Sequence, residues 1–431
     1  QPEMWQIKKS GQPVSAKLVS ASGGKVEITN NHLFTNLSDL NAEWMIKADN
    51  ELVEKGKLTL DLAPGQKGLF TIPYRKPVIK EGREYRLFLS FRLKEKTIWA
   101  DQGHEIAWEQ LELPWYEPVK SQPDPVIAEL ELKDDWERVI INGTDFTYVF
   151  SKDPGSLVSF SLKGKELIHS GADLCVWRAP LANETDEWGY WQANKKHRTD
   201  GYGRFVATEW YSAGLDKLDK MTEKFSVRKE SDGSVTVDIQ NLYLLGTGRG
   251  GFLNHFIYNI KGDGSLTLDH TVTPDGDMPA FLPRTGTEWM LDKSLDRVDW
   301  YGRGPQENYP DRKSGYKTDV YSSTVKDMFE PYLIPQDYGL RCDTRWVRLT
   351  AGDGAGLEFR GDKLFNFSAH SYSDDNLTKA LYTYQLKPSD SVVFNLDYAT
   401  SGVGCTALSV FTQYQVMPQK FEFRTQIRPV R

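Results

Sequence analysis

The densest set of chemistry-bearing side chains lies in residues 301–312, where two glycines and two prolines interrupt a run of charged and polar residues. Glycine and proline permit a tight, irregular backbone, and arginine can fix such a backbone through bidentate bonds to carboxylates. We therefore favour a structural role over direct ligand contact for this segment. The side chains concerned are Arg303, Glu307, Asn308, Tyr309, Asp311 and Arg312.

A second candidate is the pair Asn183-Glu184, which follows Trp177-Arg178-Ala179-Pro180. A carboxyl beside an asparagine is a suitable general acid or base when it lies in a cleft. The surrounding residues have the composition of a loop, however. We interpret the pair as part of a solvated or interface loop.

Histidine and cysteine give no metal-binding pattern. The histidines show no pair at ligand spacing, so the sequence predicts no metal site. The cysteines are odd in number and far apart, which favours buried free thiols over disulfides. The histidines are at positions 32, 104, 169, 197, 255, 270 and 370, and the cysteines are Cys175, Cys342 and Cys405.

The elements that position these residues are predicted to be strands. Apolar residues alternate from Leu87 to Leu93, as in a half-buried strand. Residues 146–150 and 158–162 alternate on either side of Asp153-Pro154-Gly155 and predict a hairpin. A Gly-Asp-Gly turn separates two further strand candidates, residues 255–260 and 266–272. Only residues 215–224 show helical spacing. The pattern predicts sandwiches and not an α/β fold.

A proline-rich stretch predicts the domain organisation. Four prolines between positions 114 and 125 disfavour a central strand and favour an extended connection. We predict an immunoglobulin-like β-sandwich over 1–114, a linker over 115–126 and a larger β-sandwich over 127–431. The first has the usual size of an immunoglobulin-like domain.

Charge and hydropathy exclude several classes of function. The chain has 53 basic and 60 acidic residues and a formal charge of −7, with no basic patch for nucleic acid or anionic lipid. Neither an 18-residue apolar run nor a signal-peptide pattern occurs, so no membrane partner is predicted. The chain does not begin with Met, and we expect it to be an excised fragment.

Several segments resemble the C-terminal region of bacterial family 2 β-galactosidases. Residues 34–38, 62–65, 90–94 and 103–110 resemble the immunoglobulin-like domain that follows the catalytic barrel. Residues 176–180, 300–312, 331–336, 339–346 and 395–398 resemble the small chain, and the 300–312 segment is the most specific match. The similarity covers nearly the whole chain.

The resemblance implies that the larger module is a galactose-mutarotase-like β-supersandwich. It also implies that catalysis occurs elsewhere. Retaining glycosidases use two carboxyls about 5 Å apart, and in this family both lie on an upstream (β/α)₈ barrel whose motifs do not occur here. The implied partners are therefore that barrel, in the same polypeptide, and the galactoside substrate of the full enzyme. We expect the fragment to be inactive alone and to contain no cofactor, although barrels of this family often use a divalent metal.

The resemblance further implies which residues lie at the substrate rim or the barrel interface, and two departures from the family pattern alter that expectation. The family usually continues Arg-Ala-Pro with Thr-Asp-Asn-Asp, where this chain has Leu181-Ala182-Asn183-Glu184. It often places a tryptophan after Gly-Val-Gly, where this chain has Cys405, so a different aglycone preference is our hypothesis. The candidates are Trp177, Arg178, Asn183, Arg303, Glu307, Asn308, Tyr309, Asp311, Arg312, Gly404 and Cys405.

Two other functions stay open at this level. One is a stand-alone carbohydrate-binding module, which an exposed face carrying Trp188, Tyr190 and Trp191 would favour. The other, less favoured, is a mutarotase-type sugar epimerase that uses His255 or His270 with a carboxylate. The expected source is bacterial, and the sequence leaves the compartment open between cytoplasm and periplasm.

Overall fold

The computed structural model describes residues 1–119, 128–185, 206–404 and 410–431. Strands dominate these residues, and the prediction of an all-β chain is confirmed. In the described part of the chain, no helix is long and apolar enough to cross a membrane. Contacts divide the chain into two units. One comprises Gln1–Pro123 with Ser314–Val320, and the other comprises Asp124–Lys313 with Tyr321–Arg431.

The N-terminal unit begins with helix α1 (Glu3–Ser10) and continues as two antiparallel sheets. One sheet has the order β1-β2-β5 and the other β4-β3-β6-β7. Side chains from both sheets, including Val26, Ile28, Trp44 and Phe91, form one buried core. The strands are β1 (Val14–Ser20), β2 (Lys25–Asn30), β3 (Leu40–Ala48), β4 (Glu51–Leu58), β5 (Lys67–Thr71), β6 (Tyr85–Leu93) and β7 (Glu105–Leu113).

Strand β6 differs from its predicted half-buried alternation, because Tyr85 to Phe91 are buried on both faces. The face opposite the core includes two polar residues, and both have partners. Arg86 forms an ion pair with Glu84, and the Ser90 hydroxyl donates to Glu105. A buried face therefore need not be apolar when its polar groups are bonded.

The predicted 115–126 linker remains a prediction, because residues 120–127 lie outside the described residues. At its start, Trp115 is buried and packs edge-on against Tyr74 and Tyr85. The first linker residues therefore contribute to the core of the N-terminal unit.

The C-terminal unit is built around one large antiparallel sheet. Its main path is β13-β14-β15-β16-β23-β21-β22-β17-β12-β11-β10-β9-β8, and β20 joins β18 to β21. The strands are β8 (Glu131–Asp134), β9 (Arg138–Asn142), β10 (Phe146–Ser151), β11 (Ser156–Leu162), β12 (Lys165–Cys175), β13 (Asp219–Lys229), β14 (Val235–Leu244), β15 (Gly250–Ile260), β16 (Leu266–Gly276), β17 (Arg284–Asp292), β18 (Arg297–Gly304), β20 (Arg341–Thr350), β21 (Gly356–His370), β22 (Ser391–Thr400) and β23 (Phe421–Val430). Strand β19 (Lys317–Thr324) begins in residues that group with the N-terminal unit and ends in residues that group with this one.

Short helices connect some of these strands. One prediction of helical structure, over residues 215–224, is wrong. The helices are α2 (Ala182–Thr185), α3 (Val206–Ala213) and α4 (Asp374–Lys379), with 3₁₀ turns at Leu37–Asp39 in the first unit and at Thr383–Gln385 and Thr412–Tyr414 in this one. Residues 215–224, predicted to be helical, instead lead into β13, which pairs with β14 along its whole length. Strand pairing outweighs a weak helical spacing, because each residue in the ladder gains cross-strand contacts.

The predicted hairpin is confirmed, and so are the two strand candidates around the Gly-Asp-Gly turn. Strand β10 pairs with β11, and β15 pairs with β16, each antiparallel. Their inward-facing residues, among them Phe150, Phe160, Tyr258 and Leu268, belong to one large core. The alternating apolar residues in the sequence are therefore the residues that these strands direct into the core.

Candidate functional site

The site is centred on a short loop, residues 401–404, that follows β22. Four consecutive residues of this loop are held through their backbone by side chains from two distant segments. Arg178 donates to the carbonyls of Ser401 and Gly402, both at 3.3 Å. The amide of Asn183 donates to the carbonyl of Val403. We call this segment the 401–404 loop.

Asp311 holds the same loop from the other side. Its Oδ1 accepts from the Val403 N–H at 3.0 Å, and its Oδ2 accepts from the Gly404 N–H at 2.8 Å. Gly402 lies so close that a Cβ there would be 2.5 to 2.8 Å from the Asp311 carboxyl atoms. The Gly-Val-Gly sequence therefore permits both oxygens of one carboxylate to bind successive N–H groups.

Arg178 is itself fixed by Glu184. The guanidinium is fully buried, and its Nη2 donates to Glu184 Oε1 at 2.7 Å, while Glu184 Oε2 accepts from the Leu181 N–H at 2.8 Å. Burial raises the pKa of Glu184, and the charge of Arg178 opposes that rise. Of the two alternatives for Asn183-Glu184, the solvated loop is wrong, because Glu184 is only 5% exposed and pairs with a buried cation, while the interface loop stays a prediction.

A second buried arginine, which the sequence did not single out, lies beside this pair. Arg284 Nη2 donates to Asp337 Oδ1 at 2.9 Å, and Arg284 Nε is 3.6 Å from Asp397 Oδ2. The Tyr309 hydroxyl donates to the other Asp337 oxygen at 3.0 Å. Burial raises the pKa of Asp397 to about 6. The match around residues 395–398 was the one signal that pointed to Asp397.

The remaining polar residues of the 301–312 segment bond chiefly to one another and to nearby backbone. Glu307 accepts from Arg312 at 2.8 Å and from the Gly339 N–H at 2.7 Å. The Asn308 side chain accepts from the Cys342 N–H at 3.0 Å. These contacts are those of a structural role.

Arg303 is also paired within the C-terminal unit. It donates to Asp343 at 2.5 Å, and Lys313 donates to the other Asp343 oxygen at 2.8 Å. Burial raises the pKa of Asp343, but the charges of Arg303 and Lys313 outweigh it and hold that pKa below its ordinary value. Arg303 thus lies in an ion-pair group separate from the contacts of the 401–404 loop.

The structure brings together only part of the predicted set. Arg178, Asn183, Asp311 and Gly404 meet at the 401–404 loop. Trp177 instead packs against Trp210 and Tyr211 in a separate core. Other candidates fall on residues outside the described ranges, namely Cys405, Trp188, Tyr190 and Trp191.

The two histidines considered for an epimerase have structural partners. His270 is buried between Tyr398 and Asn254, its ring nitrogens 2.6 and 2.5 Å from their oxygens, and burial lowers its pKa to about 3. His255 bonds Asp238 at 3.0 Å. The arrangement of His270 is that of a satisfied core histidine.

Comparisons with known proteins agree with this architecture. A family model described as beta galactosidase small chain matches residues 142–427, and one described as beta-galactosidase, domain 4, matches residues 26–114. The chain is 32% identical over 406 residues to a beta-galactosidase of Priestia megaterium, covering 94% of this chain and 37% of that protein. It is 28% identical over 436 residues to a beta-galactosidase of Vibrio cholerae, covering 99% and 40% respectively.

Solved structures of sugar epimerases are also similar to this chain, at low identity and low TM-scores. A galactose 1-epimerase from Lactobacillus acidophilus covers 70% of this chain with 98% of its own, at 10% identity and a TM-score of 0.35. A GalM/aldose epimerase homologue from C. elegans gives the same coverage and identity at a TM-score of 0.36. The predicted all-β fold class is confirmed by the strands that dominate both units and by the two family models, of which the domain 4 model precedes the small-chain model along the chain.

Proposed function

The chain belongs to the β-galactosidase small-chain family, and on that premise we propose that it is the non-catalytic C-terminal portion of a retaining β-galactosidase. It spans about two fifths of the length of the curated relatives it matches. The catalytic carboxyls then belong to a (β/α)₈ barrel in the rest of the polypeptide. The galactoside is the substrate of that full enzyme.

The proposed role of this portion is to hold the 401–404 loop rigidly at the rim of the active site. The observation that supports it is the anchoring of four successive loop residues by Arg178, Asn183 and Asp311. A loop fixed by so many charge-assisted bonds is preorganised, and preorganisation is what a substrate-positioning element needs. A rigid 401–404 loop then gives the substrate a defined position.

This function is tested by measuring the hydrolysis of a chromogenic β-galactoside. The 431-residue chain is compared with a polypeptide in which the upstream barrel of a relative precedes it. We expect turnover only in the longer polypeptide. Turnover by the 431-residue chain alone would refute the assignment, and a failure of the properly folded longer polypeptide to hydrolyse any β-galactoside would also count against it.

The role of the loop is tested in the longer polypeptide by Asp311→Ala, with Asp375→Ala as the matched control. Asp375 is exposed and pairs only with Lys379 among the contacts seen in the described residues. Because misplacement of a positioning element by about 1 Å costs on the order of 100-fold in rate, we expect kcat/KM to fall about 10- to 100-fold in Asp311→Ala. Equal kcat/KM in both variants would refute a positioning role, and circular dichroism confirms that both remain folded.

A further inference from the structure

A cluster of ionisable side chains lies in the C-terminal unit beside the residues described above, and the proposed function makes no use of it. Ligand atoms of Asp337, His370 and Asp374 all lie within 4.8 Å of one another. A second triplet, Cys175, Glu288 and Asp374, meets the same limit and shares Asp374. We call these five residues the Asp374 cluster.

Two polar atoms of the Asp374 cluster are buried without a hydrogen-bond partner. His370 Nε2 lies 2.6 Å from the carbonyl of Tyr338, so that nitrogen carries the proton and donates it. The other nitrogen, Nδ1, therefore presents a lone pair, and it has no partner among the described residues. Asp374 Oδ1 is likewise buried and unpartnered in the described part of the chain.

This arrangement of His370 matches that of a metal ligand. Metal-bound histidines usually donate their second N–H to a backbone carbonyl or carboxylate, which fixes the ring and directs the free nitrogen at the ion. The Tyr338 ring also stacks on the imidazole at a centroid distance of 4.2 Å and holds its plane. These two contacts fix the orientation of the ring and leave Nδ1 without a hydrogen-bond partner among the described residues.

Buried carboxyls outnumber buried arginines beside the cluster. Arg178 and Arg284 are fully buried, and the buried carboxyls near them are those of Glu184, Asp337, Asp374 and Asp397. Arg178 pairs with Glu184, and Arg284 lies between Asp337 and Asp397. Asp374 is therefore left without an ion-pair partner among the described residues, and its carboxyl is available to a cation.

We propose that Asp337, His370 and Asp374 bind a divalent transition-metal cation of the zinc type. Imidazole nitrogen with carboxylate oxygens suits zinc, whereas calcium and magnesium prefer oxygen alone. Asp337 is able to take part although it accepts from Arg284 and Tyr309, because each carboxylate oxygen has a second lone pair. The site lies outside the proposed rim role.

Cys175 is excluded from the ligand set. Its Sγ donates to the carbonyl of Trp177 at 3.3 Å, so the thiol proton is already held in a hydrogen bond. Glu288 is only partly buried and gives the cluster a side nearer to solvent. The proposal also revises the prediction of no metal site, because that prediction considered only spacing along the sequence.

The test is the zinc content of the 431-residue chain. Because the ligands are buried, the protein is refolded from denaturant with zinc chloride, dialysed, and analysed by inductively coupled plasma mass spectrometry. We expect about one zinc ion per chain and a thermal transition raised by zinc, since a ligand that binds only the folded state stabilises it. A wild-type chain that retains no zinc would overturn the proposal.

Variants identify the ligands. Asp374→Asn and His370→Gln should each weaken zinc binding more than about tenfold, while Asp375→Asn, an exposed neighbour on the same helix, should bind like the wild type. Asp374→Asn removes a buried acid and is expected to remain folded, which circular dichroism checks. Equal zinc content in Asp374→Asn and Asp375→Asn would refute the assignment. With cobalt in place of zinc, a thiolate-to-cobalt charge-transfer band would likewise refute the ligand set, and its absence is expected.

Discussion

At the scale of single residues, the C-terminal unit depends on a few buried arginines and carboxylates. Arg178 and Asp311 each bond two groups of the 401–404 loop. Two bonds from one rigid planar group fix orientation as well as position. Removing one member leaves its partners buried and unpaired, so such residues are much less replaceable than those in surface ion pairs.

The ion pairs of Asp343 with Arg303 and Lys313 should make the free energy of unfolding depend on pH. The pKa of Asp343 in the folded chain is below its ordinary value of 3.8, so its stabilising contribution is present above pH 4 and is lost as pH falls through the folded pKa. We expect Asp343→Asn to cost about 1–3 kcal/mol at pH 7, and to cost progressively less towards pH 2. Urea unfolding of both proteins across this range measures the difference.

Asparagine is the suitable replacement because residue 343 has φ of 53°, a left-handed conformation that asparagine tolerates. The loss observed is then that of the charge and not of the backbone conformation. Asp375→Asn serves as the surface control. A difference between wild type and Asp343→Asn that is the same at pH 7 and pH 2 would contradict the role given to this group.

At the scale of elements, the ladder between β17 and β22 carries the site. It brings Arg284, at the first position of β17, beside Asp397 on β22. The register shifts between Thr285 and Gly286, where the two backbones approach closely. A Cβ at Gly286 would lie 2.2 Å from the carbonyl oxygen of Leu396 and 2.6 Å from the Cα of Asp397. Only glycine fits this position without moving backbone.

Gly286→Ala is therefore expected to destabilise the C-terminal unit by about 3 kcal/mol, at the upper end of the usual cost of overpacking, because backbone atoms cannot rotate away. Gly352→Ala is the matched control, since nothing lies within 4 Å of a Cβ there and its backbone angle is compatible with alanine. Denaturant unfolding followed by tryptophan fluorescence measures both. Equal stabilities would show that the ladder accommodates the added methyl group.

At the scale of the whole molecule, the chain does not divide into units at a single point. Residues Ser314–Val320 group with the N-terminal unit although they lie between two segments of the C-terminal unit. Within that N-terminal unit, the Gln110 side chain donates to the Thr318 carbonyl at 2.7 Å and accepts from the Thr318 N–H at 2.8 Å. One amide thus satisfies both backbone groups of a distant residue.

Gln110→Ala should therefore destabilise the N-terminal unit by about 1–3 kcal/mol, because it leaves two backbone groups of Thr318 without their partner. Gln102→Ala is the control, since its exposed amide makes one bond, to the Lys94 carbonyl at 2.8 Å. Hydrogen exchange of peptides from β6 and β7 reports on this unit separately from the other. Unchanged exchange in Gln110→Ala would show that the 314–320 segment contributes nothing to it.

The sequence by itself determined the strands, one hairpin and the family. Alternation with a period of two and the turn residues at 153–155 are local properties, so they predict β10, β11, β15 and β16 directly. The specific 300–312 match carried the family assignment. Such features are readable because neighbouring residues specify them.

The sequence was less informative wherever the outcome depends on residues that are distant in the chain. It missed Arg284 and Asp337, because the partners of these groups lie on other strands and loops, and it left a solvated loop open for Glu184, because burial depends on the segments that cover it. It also gave no sign that His370 and Asp374 approach Asp337. The sheet brings distant segments of the chain together, and this determines which side chains are buried, which form ion pairs and which lie close enough to share a ligand. Only the tertiary structure decides these, since the interactions act through space and not along the chain.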